Sequence, residues 1–284
     1  MSPTEKDLEL GSGLIQARTN VTLTNRTGQP LTGTIQLLDF KTLNETGGLI
    51  FTQAGVSAGK YGLAKWMSLP DGPTVTVPDG QTVSIPVVID NRADLAPGGH
   101  YGAVVITFGG NNAATDSRAA FKQELVSLLL IRKAGGEHFG LQLESLKAGL
   151  ADNVPNSVSL LFKSTGNVHV VPHGYVTVQD PSGKVIAKAI INPDSLPVLP
   201  GADRSFASQI RPLGALKASR RYKLTAYYRY DGQANYSTQS LSIKGVSSLL
   251  DWWPIAAFAG FVLIALLVRK QVSRKVARRY RAAR

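Results

Sequence analysis

The chain has 284 residues, 43% of them hydrophobic, no cysteine and a formal net charge of +12. That gives room for about two packed domains and excludes a disulfide-stapled scaffold, thiol chemistry and a wholly disordered chain. Eight of the 31 Lys and Arg residues follow Val268 with no acid among them, so the basic excess is mostly one terminal block beside an apolar run, which favours a membrane over a nucleic acid as its partner.

Before residue 246 almost nothing repeats with the period of a helix, whereas alternation with period two is general. NVTLTN sets Val21 and Leu23 on one side. TVSIPVVID puts Val83, Ile85, Val87 and Ile89 on one face, and GAVVITFGG does the same for Val104, Ile106 and Phe108. ELVSLLLIRK is apolar on both faces from Leu125 to Ile131, as a central strand would be. The turn signals NRTGQP, NETGG, LPDGP, VPDGQ and LAPGG punctuate these runs. Short strands with such spacing predict a β-sandwich over residues 1–134.

After the break RKAGGEHFG come seven more strand runs: LQLESLKAG, SVSLLFKS, GYVTVQD, KVIAKAII, SFASQI, RYKLTAYYRY and YSTQSLSI. They predict a second immunoglobulin-like sandwich over 135–245, its last two strands joined at Asp231 by the DGQ turn. Residues 246–268 read as a linker and a transmembrane helix. WWPIAAFAGFVLIALLV, Trp252 to Val268, has seventeen uncharged residues, about 25 Å of helix, and Leu249 and Leu250 bring it toward the hydrocarbon thickness. Trp252 and Trp253 sit where interfacial aromatics belong, and Arg269 and Lys270 begin a basic tail, 269–284, that the positive-inside rule places in the cytoplasm. The expected fold is therefore all-β, with two tandem immunoglobulin-like sandwiches followed by one C-terminal transmembrane helix. The N-terminal part would lie outside a cell membrane that residues 250–268 cross. MSPTEKDLELGSG has no apolar signal region, so a signal peptide is expected to have been removed or to be absent from this sequence.

Catalytic patterns are missing. There is no Cys nucleophile, GxSxG elbow, phosphate loop or GxGxxG after a strand. His169 and His173, four apart in GNVHVVPHG, would be about 13 Å apart along one strand, so a shared metal needs a sharp bend. No HExxH is present and no carboxylate stands at ligand spacing, so a structural role is expected for both. DNRAD, Asp90 to Asp94, lacks the glycine and distal glutamate of a calcium loop and reads as a solvated turn. Asn20, Asn25, Asn44 and Asn235 fit the glycosylation tripeptide. No metal, cofactor, nucleic acid or enzymatic activity is expected. For binding, Trp66 in YGLAKWMSLP and His100 and Tyr101 in PGGHYGAV are the candidate residues, because aromatics beside glycines can stack on sugars or receive a peptide strand. A core role for Trp66 between two sheets is the competing reading.

DLEL, then VTLTNRTGQPLTGTIQLLDF, Trp66, and VTVPDGQTVSIPVVIDNRADLAPGGHYGAVVITFGG together resemble the peptidoglycan-binding domain of WxL-interacting proteins, over roughly residues 7 to 133. The shared pattern is a strand ending in Asn, a P-x-G-Q turn and a PGGHYGAV return strand. Related turn logic recurs in other sandwich domains, pilus chaperones included. The resemblance implies a membrane-anchored bacterial surface protein whose ectodomain binds cell-wall polymer (peptidoglycan), a surface protein, or both. FKSTGNVHVVPHGYVTVQDPSGKV is similar to a general extracellular sandwich pattern. The alternative reading is a structural or assembly subunit of a surface or membrane complex that binds no glycan.

Overall fold

The computed structural model describes residues 1–56, 59–109, 123–152, 154–216 and 221–244, with Phe261 alone beyond them. The described chain is all-β. Its first half forms two facing sheets. One carries β2 (Gln16–Thr24), β7 (Thr82–Asp90) and β5 (Met67–Ser68). The other runs β1 (Glu5–Leu10), β9 (Gln123–Lys133), β8 (Gly98–Phe108), β3 (Leu31–Thr42), β4 (Leu49–Thr52), with β6 (Thr74–Val77) also on β3. Period-two patterning fixes the facing sides: Val21 and Leu23, Ile85, Val87 and Ile89, Val104, Ile106 and Phe108, and Leu129 and Ile131 all bury into one cluster.

The second half repeats the plan. β10 (Leu141–Ala151), β11 (Val154–Ser164) and β14 (Asp203–Gln209) form one sheet. The other runs β15 (Arg211–Pro212), β13 (Val185–Ile191), β12 (His173–Gln179), β16 (Arg221–Arg229), β17 (Ser237–Lys244). Between them lie Leu160, Phe162, Val176, Val178, Leu224, Ala226 and their neighbours. β16 and β17 form the hairpin expected at Asp231, with Gly232 at φ 81° in the turn.

A third cluster joins the halves. Tyr101, Ala103, Val105 and Leu130 on the outer face of β8 and β9 pack, with Phe40, against Leu199 and Ala202 of the second half. This explains the doubly apolar β9: one face fills its own sandwich and the other lies toward the second.

The expected single-pass placement needs correction. The described elements from Glu5 to Lys244 are strands apart from two three-residue 3-10 helices, Gly59–Tyr61 and Ala64–Trp66, and no described helix is long and apolar enough to cross a membrane. Residues 250–268, with Trp252 and Trp253, and the tail from Arg269 and Lys270 lie outside the described residues, apart from Phe261.

Candidate functional site

His100 and Tyr101 are consecutive on β8 and so face opposite ways. His100 turns inward at the end of the first sandwich, 2% exposed, with Nε2 2.7 Å from the Ala96 carbonyl and Nδ1 3.2 Å from that of Gly62. Burial holds its pKa below the usual histidine value, against the two carbonyls, which act to raise it. Trp66 stands edge-on to His100 at 6.0 Å between ring centroids and is partly buried against the first core. Its indole N–H donates to Asp94 at 3.2 Å, and Lys65 lies over its ring and bonds the same carboxylate. The loop carrying Trp66 is held by buried Asp39, which accepts the N–H groups of Gly55, Leu63 and Ala64. DNRAD thus supplies a partner for Trp66, and no cluster able to hold a metal occurs among the described residues.

Tyr101 points the other way, into the junction between the sandwiches. It is 2% exposed and packs against Phe40, Tyr61 and His169. Its hydroxyl meets His169 Nδ1 at 3.3 Å, and His169 Nε2 meets Asp7 Oδ2 at 3.3 Å. Arg132 stands 3.4 Å from the same Asp7 oxygen. Burial alone would raise the Asp7 carboxyl. The His169 hydrogen bond and charge, with Arg132 behind them, outweigh it and hold the pKa below the usual value. An ionised Asp7 can only accept, so Nε2–H donates to it, and Nδ1 and the Tyr101 hydroxyl share the remaining contact. This order of groups is that of a catalytic triad, but the hydroxyl is enclosed and burial pushes its pKa up, away from any nucleophilic role.

More bonds tie the halves. Gly99 N–H donates to the Asn167 carbonyl at 2.8 Å, and Ser205 N–H donates to that of Glu45 at 2.7 Å. Glu5, raised by burial, faces the charges of His169 and Arg204. The PGG of PGGHYG serves this contact, since a side chain at Gly98 or Gly99 would meet Asn167. Of the two histidines in GNVHVVPHG, His169 is buried at the junction while His173 opens β12, exposed and paired in register with Arg229. They occupy different environments and share no ligand.

Among the described residues one strand edge is only partly paired. β1 runs parallel to β9 only from Leu128 onward, where the Leu128 N–H reaches the Thr4 carbonyl. Two residues earlier the Val126 N–H points the same way. Its ladder partner would be the Ser2 carbonyl, but Ser2 pairs with Thr22 on the other sheet through both backbone groups. The Pro3 carbonyl accepts the Ser127 hydroxyl nearby, but among the described residues no strand pairs with Val126 on this side. Beside it opens a small pocket with Leu23, Leu31, Val77, Phe108 and Leu125 in its wall and polar residues, Arg26 and Gln123 among them, around them. Nothing in the residue pattern marks this edge; it arises because the N-terminal segment changes sheets.

No protein-family model and no curated protein matches the chain. Solved structures do. A class 5 fimbriae chaperone, CfaA, is 11% identical over 87% of this chain and 98% of its own, with a TM-score of 0.41. The YadV chaperone is 16% identical over 83% and 96%, with a TM-score of 0.38. The Escherichia coli chaperone DraB is 10% identical over 86% and 96%, also at 0.38. At these scores the likeness carries no partner or mechanism to this chain. The reading as a membrane-anchored peptidoglycan binder is nonetheless corrected. Two of the three candidate sugar-stacking residues, His100 and Tyr101, are buried, and the similar structures named here are chaperones.

Proposed function

We propose that the chain is a non-enzymatic protein-binding subunit with a role in assembly. Two immunoglobulin-like sandwiches, joined by the Tyr101–His169–Asp7 contact, would present an open strand edge to a partner protein. The observation that carries this reading is the Val126 N–H, which faces outward with no strand opposite it among the described residues. An exposed strand edge is a template for another chain, and main-chain hydrogen bonds supply affinity while neighbouring pockets supply specificity. The pocket beside Leu125 suits a side chain of an added strand. A junction tied by buried contacts reduces the ordering cost of binding.

The test places a photocrosslinking residue at exposed Gln123 in the full chain, in the cells that produce it. The expected product is an adduct with a defined protein, lost when Val126→Pro removes the outward N–H. An adduct with glycan, no adduct at all, or an adduct indifferent to Val126→Pro would overturn the reading.

A further inference from the structure

The outer face of the β13–β12–β16–β17 sheet differs from an ordinary solvated face. In RYKLTAYYR of β16 the core takes Tyr222, Leu224, Ala226 and Tyr228. The alternate positions, Arg221, Lys223, Thr225, Tyr227 and Arg229, lie on the other face, with Thr225 buried among its neighbours there. Register sets Tyr175 beside Tyr227 on one side and Ile190 on the other. The two tyrosine rings stack at 5.1 Å and 22°, and Tyr236 meets Tyr175 at 6.0 Å. Lys188 lies 5.8 Å from the Tyr175 ring centre and Arg229 5.3 Å from that of Tyr236. Ile190 is 53% exposed, and Tyr236 46%. No Asp or Glu occurs anywhere in these four strands, and neither Lys188 nor Arg229 has a carboxylate partner among the described residues.

We infer that this face docks an acidic protein segment, one whose carboxylates meet Lys188 and Arg229 while an apolar side chain covers Ile190 and the tyrosine edges. Charge complementarity selects the sign of the partner. The ring geometry selects its class. Bases and sugars need a free aromatic face, but Tyr175 has Tyr227 on one face and, from the opposite neighbouring strand, Lys188 over the other. What Tyr175 leaves open is its edge and hydroxyl, beside Lys188 and Arg229, which suit carboxylates and aliphatic groups. This inference is independent of the strand edge on β9, which belongs to the other sandwich.

The test titrates the isotope-labelled full chain with a peptide alternating Glu and Leu, its Lys-for-Glu counterpart, oligo(dT) and polyglucuronate. Residues 269–284 carry eight cations that will also attract anions, so the readout is local: amide shifts in β12, β13 and β16. The Glu–Leu peptide should shift these amides saturably and the Lys counterpart should not. The double variant Lys188→Glu/Arg229→Glu should weaken the local response at least about tenfold with unfolding unchanged. Oligo(dT) and polyglucuronate should act only at the tail. Equal local response to all three anions would make the face an unselective polyanion patch and overturn the inference. So would a peptide response that survives the double variant, or no local response.

Discussion

Removing Tyr101 should uncouple the two sandwiches. The side chain is 2% exposed and touches Phe40 at 5.9 Å and Tyr61 at 6.4 Å on its own side, and His169 at 5.7 Å across the junction. Tyr101→Ala deletes a buried ring at a site walled by two sandwiches that cannot both collapse into the space, so the cost should approach about 3–5 kcal/mol. Tyr101→Phe keeps the ring and removes only the hydroxyl at His169 Nδ1, which should cost about 1 kcal/mol. The difference between the variants separates packing from hydrogen bonding. The assay is urea unfolding of the full chain, followed by circular dichroism and by hydrogen exchange in β8 and in β12. With two cores present, a single transition is evidence of coupling. The wild type should unfold β8 and β12 together, and Tyr101→Ala should separate them. A loss below about 1 kcal/mol for Tyr101→Ala, with β8 and β12 still unfolding together, would refute the idea that this residue joins the halves.

Other perturbations have defined outcomes. Burial lowers the pKa of His100 in the fold, so the unfolded chain binds the proton more readily. The stability His100 contributes is complete above about pH 6.5 and is lost as pH falls through the lowered folded value; His100→Asn should flatten that slope in a stability–pH series. Asp7 is lowered below its ordinary 3.8, so its contribution is present above that pH and lost on further acidification. Because its side chain is 45% exposed, Asp7→Asn should remove no more than about 1 kcal/mol, read as a shallower acid limb of thermal unfolding. Gly174→Ala puts a methyl against the Tyr227 carbonyl and should destabilise the second sandwich by roughly 1–3 kcal/mol, measured by denaturant midpoint.

Strand positions were legible because burial imposes period two. Val21 and Leu23 and Val104, Ile106 and Phe108 fall in strands with the expected side facing in, and the seven runs after Gly140 also fall in strands. The doubly apolar β9 was also visible, but its reason was not, since the pattern cannot say whether the second face meets a sheet neighbour or another domain. The junction was illegible because its members lie far apart: His169 is 68 residues from Tyr101 and 162 from Asp7. Reading His100 and Tyr101 as one feature failed because adjacent strand residues face opposite ways. Asn25 shows the same limit. It fits a glycosylation tripeptide, yet it is 1% exposed and its carboxamide bonds Thr27, Gln29 and Val77. The basic-aromatic face of β16 could have been found from the alternation in RYKLTAYYR alone.

Residue-resolved hydrogen exchange at Val126 in the full chain tests the open edge most directly. Leu125 and Ser127 face β8 through paired backbone groups, in register with Ile106 and Val104, and should exchange slowly. The Val126 N–H, with Ser2 engaged by Thr22, should exchange orders of magnitude faster than its two neighbours and become protected when a partner strand is added. A Val126 amide as slow as Leu125 and Ser127 in the free chain would mean the edge is already covered, and would contradict the proposed assembly role at its root.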